Sequence, residues 1–149
     1  FRTLGAEGFE GAEVPLENEP ADGVTLRGKV DAVFGDGAAG TRLVDWKTGA
    51  LGDPATQLAF YALLWALERD EIPGRVEAVS VASGERYEEV PTRAGLDDVT
   101  GRVAVLIDTL REAFDEGREL AREAGPWCRW CPLLEECSEG RAAKVVFDA

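Results

Sequence analysis

The sequence predicts a mixed α/β domain: a central mixed β-sheet flanked by helices, followed by a C-terminal segment carrying all three cysteines. Three observations lead there. Apolar and polar residues alternate with period two through 24–34, and a hairpin loop leads from there into a second strand over 41–48. Apolar residues recur at helical spacing through 54–69 and 95–123. The resulting order, β-β-β-α-β-β-α, suits a sheet covered by helices. A chain of 149 residues, 45% of them hydrophobic, is long enough for one domain with a sizeable core. The expected division of 1–149 is a core over 1–124 and a cysteine segment over 125–149.

Ala12–Leu16 alternates weakly and contains Pro15, as an edge strand does. Asn18–Gly23 is dense in turn formers. Val24–Phe34 alternates cleanly. Val24, Leu26, Gly28, Val30, Ala32 and Phe34 are expected on one face; Thr25, Arg27, Lys29, Asp31 and Val33 on the other. Gly35–Gly40 is a hairpin loop, so Thr41–Thr48 should pair antiparallel with the preceding strand. Asp53-Pro54 starts a helix, with Asp as N-cap and Pro at the first helical position, running to about Arg69. Arg75–Val81 and Glu85–Val90 form a hairpin across Ser83-Gly84. A long amphipathic helix covers Gly95–Glu123 and stops at Gly125-Pro126. Ala142–Phe147 can add a short strand or helix.

No apolar run approaches the roughly 18 residues of a membrane span, and no secretory signal is visible. An odd cysteine count in one small cluster argues against a secreted disulfide framework, so a reducing cytoplasm is the default. The formal charge of −13 lowers the odds of a stand-alone nucleic-acid binder that works by charge. It does not exclude an enzyme whose nucleic acid is delivered by a basic partner. The chain has neither Met nor His and opens on Phe1 in what reads as mid-domain, so a fragment lacking an N-terminal segment is expected.

The segment "LVDWKTGALGDPATQLAFY" (Leu43–Tyr61) carries the chemistry. Asp45 and Lys47 are two apart on one strand and share a face. The hairpin can bring Asp31 opposite Asp45. Two carboxylates can hold Mg²⁺ or Mn²⁺, hard cations that prefer oxygen. Such a metal polarises a phosphoryl oxygen and lowers the pKa of a bound water. Lys47 could orient or deprotonate that water and balance transition-state charge. An isolated D-x-K is more often a surface ion pair, Asp45 with Lys47 or Arg42. Asp31, the apolar lead-in Leu43-Val44 and the helix that follows shift that balance. Gln57 and Tyr61 lie four apart on one face of this largely apolar helix, where Gln57 needs a polar partner.

In order, "GKVDAVF", "LVDWKTG" and "QLAFYALLW" resemble the RecB-like branch of the PD-(D/E)XK nuclease superfamily, over roughly Val14–Tyr61. The resemblance implies a restriction-endonuclease-like fold and a DNA-cleaving activity, with Asp31, Asp45 and the Trp46 carbonyl as metal ligands. It implies Lys47 as the catalytic lysine, with Gln57 and Tyr61 lining the site and helping to position the DNA strand. Members of that branch also use a His or Glu from an upstream helix. Here only Glu7, Glu10 and Glu13 lie upstream, none on a clear helix.

"GPWCRWCPLLEEC" holds Cys128, Cys131 and Cys137 in a C-x₂-C-x₅-C pattern. Thiolates so spaced bind zinc or an iron–sulfur cluster, normally with four ligands; buried free thiols or one adventitious disulfide are the plainer alternative. The pattern resembles that of AddB-type helicase–nucleases and CRISPR-associated exonucleases. That resemblance implies a [4Fe–4S] cluster completed by a distant upstream Cys, which residues 1–127 do not contain. Trp127 and Trp130, beside the thiols in sequence, are expected to be packing residues, with DNA stacking as the alternative. The leading expectation is the nuclease domain of a helicase–nuclease in double-strand break processing, with DNA and a helicase motor as partners. A free-standing exonuclease, an inactive DNA-guiding module and a small metal-binding interaction module are the alternatives.

Overall fold

The computed structural model describes residues 7–147, the side chains of 144–147 excepted. Five strands form one sheet in sequence order: β1 (Phe9–Ala21), β2 (Val24–Gly35), β3 (Thr41–Lys47), β4 (Arg75–Ser80) and β5 (Arg86–Glu89). Neighbours are antiparallel except β3 and β4, which are parallel. That parallel pair needs a crossover, and α1 (Ala55–Arg69) supplies it. The remaining helices are α2 (Arg93–Asp115) and α3 (Ser138–Phe147), with short 3₁₀ turns at Gly37–Ala39, Pro126–Trp130 and Leu134–Glu136. The chain forms two compact units, one ending at Ile107 and one beginning at Asp108. No helix among the described residues is long and apolar enough to cross a membrane. The expected mixed sheet with flanking helices is what forms.

The main core is built on one face of the sheet. Leu16, Val30, Val33 and Leu43 from the strands meet Leu58, Ala62 and Leu64 of α1, with Leu96 and Val99 of α2. Each Leu or Val among them, fully buried, stabilises by about 1.5–3 kcal/mol against exposure. A second cluster, Ala32, Phe34, Val44 and Val79 with Trp46 against it, occupies the other face.

Several local expectations are corrected. β1 is longer than Ala12–Leu16. Pro15 sits inside it opposite Lys29, tolerated because β1 is an edge strand paired only with β2. Strict alternation in β2 fails: Val30 and Val33 join one cluster, Ala32 and Phe34 the other. The strand changes face around Asp31, opposite the point where Glu13 of β1 takes a left-handed backbone (φ 54°). At α1, Pro54 takes the cap position and the helix begins at Ala55, whose N–H still donates to Asp53 Oδ1 at 3.2 Å. α2 stops at Asp115 rather than Glu123. Gly117 adopts φ 62° and the Arg118 N–H donates back to the Ala113 carbonyl at 2.8 Å, closing the last turn. Ala142–Phe147 is helical, as part of α3.

Candidate active site

β2 and β3 pair only as far as Ala32 opposite Val44. Beyond that point β2 stays with β1, while β3 stays with β4 through Lys47 opposite Ser80. The sheet therefore forks, and the residues just past the fork on each arm are Asp31 and Asp45. A fork strands backbone donors that pairing would have satisfied. The Trp46 N–H is one, and Asp31 Oδ2 accepts it at 2.7 Å. In a strand the N–H and C=O of one residue point to the same side, so the Trp46 carbonyl faces the same gap.

On the main-core side of β3, Asp45 is buried at 5% exposure. The Lys47 ammonium lies 2.7 Å from Asp45 Oδ2. The contact is ionic rather than directional: Oδ2 is buried and accepts no hydrogen bond. Lys47 instead donates to Gln57 Oε1. Gln57 Nε2 donates to Tyr61 Oη at 2.9 Å and, more loosely, to Asp45 Oδ1 at 3.3 Å. Burial holds the Tyr61 hydroxyl's pKa above its ordinary value; the Gln57 bond opposes this, and the Asp45 and Asp31 charges add to it. Past Lys47, the chain is tied back to β4. Val81 N–H donates to the Lys47 carbonyl at 2.9 Å, and the buried Ser80 hydroxyl donates to the Gly49 carbonyl at 2.8 Å.

Asp31, Asp45, Lys47, Gln57 and Tyr61 thus converge on one end of one unit. Arg42, the alternative partner for Asp45, is drawn off to Asp36 and the buried Glu77, both at 3.5 Å. Of the upstream carboxylates, Glu10 lies by Gly35 and Glu7 near that same end of β2. Glu13 is ion-paired with Lys29. None joins Asp31 and Asp45, and among the described residues no group of three or more Asp, Glu, His or Cys is placed to hold a metal.

The cysteines do not assemble. Cys128, Cys131 and Cys137 are free thiols with local partners: Gly125 N–H lies 3.4 Å from Cys128 Sγ, and Gly140 N–H lies 3.3 Å from Cys137 Sγ. The expectation of a [4Fe–4S] cluster, or of zinc in its place, therefore finds no support in this geometry. Trp127 and Trp130 are exposed rather than packed into a core, Trp130 at 75% with Arg129 stacked on it. Two residues that matter here were not singled out from sequence: Ser80, which no pattern marks, and Gly28, marked only as a glycine inside a strand.

A family model for the PD-(D/E)XK nuclease superfamily matches residues 1–138. The chain belongs to that superfamily. No curated protein is a match to it. Among solved structures it is similar to SSO0001, with a TM-score of 0.49 and 17% identity over 87% of this chain. The chain spans 60% of that structure's length. Nucleases of this superfamily typically use a divalent metal, Mg²⁺ or Mn²⁺. The fork fits such an ion in part. Two carboxylates against one ammonium leave one negative charge over. The buried Asp45 Oδ2 has no hydrogen bond to surrender, and Mg²⁺ is commonly held by one or two carboxylates plus water and substrate phosphate.

Proposed function

We propose that this chain is a DNA-hydrolysing module, working as an exonuclease within a cytoplasmic helicase–nuclease that processes double-strand breaks. Asp31, Asp45 and the Trp46 carbonyl would hold Mg²⁺ or Mn²⁺. The bound ion supplies Lewis-acid polarisation of the phosphoryl oxygen and an acidified water. Lys47, fixed between Asp45 and Gln57, orients that water and offsets the charge that builds on the phosphoryl oxygens. Asp31 keeps the Trp46 backbone in register with the gap. The observation that carries this reading is the fork itself, with one carboxylate on each arm and the lysine beside them. Asp45 and Lys47 intact on a formed fork argue against an inactive DNA-guiding module. The charge of −13 favours DNA handed over by a motor rather than captured by the domain alone.

The test is Asp45→Asn in the full-length protein, assayed with Mn²⁺ on end-labelled linear DNA. Loss of metal-borne transition-state stabilisation of about 4 kcal/mol corresponds to a fall of about 10³-fold. Undiminished cleavage would overturn the assignment. Cutting of closed circular DNA as fast as linear DNA would overturn the exonuclease mode.

A further inference from the structure

Glycine inside a strand weakens it and often marks a place where another part of the chain comes close. Gly28 of β2 is such a glycine, opposite Leu16 of β1. It does not take a positive φ, so backbone freedom does not explain it. Space does. A Cβ built there would lie 2.7 Å from Leu64 Cδ1, and 3.2 and 3.3 Å from Tyr61 Cε1 and Cδ1. Leu64 is fully buried, but its methyl is the end of a flexible side chain. The Tyr61 ring is rigid. Pushed at its mid-edge, it moves as a lever, and its hydroxyl, farther from the Cβ pivot, moves at least as far.

That hydroxyl accepts from Gln57 Nε2. The Gln57 amide is committed within the protein: its oxygen accepts from Lys47, and its two N–H groups serve Tyr61 and, more loosely, Asp45. With both donors engaged and its oxygen turned to Lys47, Gln57 acts as a clamp between Lys47 and Asp45, and Tyr61 sets how the clamp is turned. We propose that Gly28 is a positioning residue: its missing side chain seats the Tyr61 ring against β2, and through Tyr61 and Gln57 fixes Lys47 relative to Asp45. The proposal rests on the nuclease reading only for its kinetic consequence.

The test is a cycle of Gly28→Ala, Tyr61→Phe and the double variant in the full-length protein. Gly28→Ala/Leu64→Ala serves as the version in which the tighter clash is relieved and the Tyr61 contact remains. Melting temperature, cleavage with Mn²⁺ and the Gln57 side-chain amide resonance in a proton–nitrogen correlation spectrum are read for each. Gly28→Ala should shift that resonance without metal and lower kcat/KM by about tenfold. In the Tyr61→Phe background its further kinetic effect should shrink to about twofold or less, since both changes act through one hydroxyl. Gly28→Ala/Leu64→Ala should show the same shifted resonance with melting closer to that of Leu64→Ala alone. An unmoved Gln57 resonance, or a kinetic effect that adds fully to that of Tyr61→Phe, would overturn the proposal and leave Gly28 as a packing residue. Absence of cleavage by the wild type would count against the nuclease reading alone, and the resonance would then decide the role of Gly28.

Discussion

Asp45 and Lys47 form one ion pair, yet removing one partner should cost far more stability than removing the other. The asymmetry comes from burial. The Asp45 side chain is 6% exposed and the Lys47 side chain 28%. Lys47→Met strands a buried carboxylate whose Oδ2 has no hydrogen bond and whose Oδ1 has only the long bond from Gln57. Breaking a buried pair in this way costs about 3–5 kcal/mol. Allowing for the quarter of the lysine already in water, roughly 2–3 kcal/mol is expected here. In a chain of this size that is a fall in Tm of about 5–10 °C. Asp45→Asn leaves the ammonium able to turn to solvent, and stability should stay within about 1 kcal/mol of wild type. Thermal unfolding by circular dichroism in EDTA reads both. Mn²⁺ should then raise the Tm of Lys47→Met more than that of wild type, because the ion replaces the lost counter-charge at Asp45. If the two variants melt alike in EDTA, or if Mn²⁺ lifts both proteins equally, the argument that Asp45 depends on a neighbouring cation is wrong.

Other outcomes follow from the same geometry. Asp31→Asn keeps an oxygen for the Trp46 N–H and should lose cleavage with little change in Tm. Asp31→Ala orphans that N–H and should cost about 1–3 kcal/mol as well, a difference read by melting the two variants side by side. Tyr61 keeps its proton above the usual 10.0, so the unfolded chain releases a proton first as pH rises. Its contribution is complete below about pH 10 and is lost as pH climbs toward the folded-state value. Tyr61→Phe should therefore show a shallower alkaline fall in Tm than wild type above about pH 10 and a parallel curve below it; identical slopes above that pH would contradict it.

Much of this was legible in the residues because the signals were local. Alternation located β2, the hairpin loop after it located β3, and the Asp-Pro pair located the start of α1 to within a residue. Asp45 and Lys47 were legible as a pair since a strand puts i and i+2 on one face. The face change near Asp31 was not legible. It depends on β2 parting from β3 and on Glu13 adopting a left-handed backbone on a different strand, and period-two patterns carry no trace of either. The end of α2 was misplaced for a related reason. Gly117 and Gly125 are both plausible stops, and only the bond from Arg118 to the Ala113 carbonyl selects the first. The role of Gly28 needed α1 docked on the sheet. The cysteine spacing suggested a metal site that three-dimensional placement does not assemble, because spacing fixes which thiols can meet and not whether they do.

The charges at this site and the shape of the sheet are one problem with one solution. A sheet that forks must leave backbone donors and acceptors facing a gap, and apolar side chains there would leave them unsatisfied. Asp31 answers the Trp46 N–H, and in doing so places a carboxylate where β2 and β3 separate. That carboxylate brings negative charge next to Asp45, and a single lysine does not neutralise both. Gln57 spreads the load by accepting from Lys47 and donating to Asp45, but it adds no charge. The fork therefore leaves Asp45 Oδ2 without a hydrogen bond and is short of one positive charge, a deficit that a divalent cation arriving with a phosphate group would remove. The structural role of Asp31 and its proposed metal-binding role thus arise from the same divergence of strands.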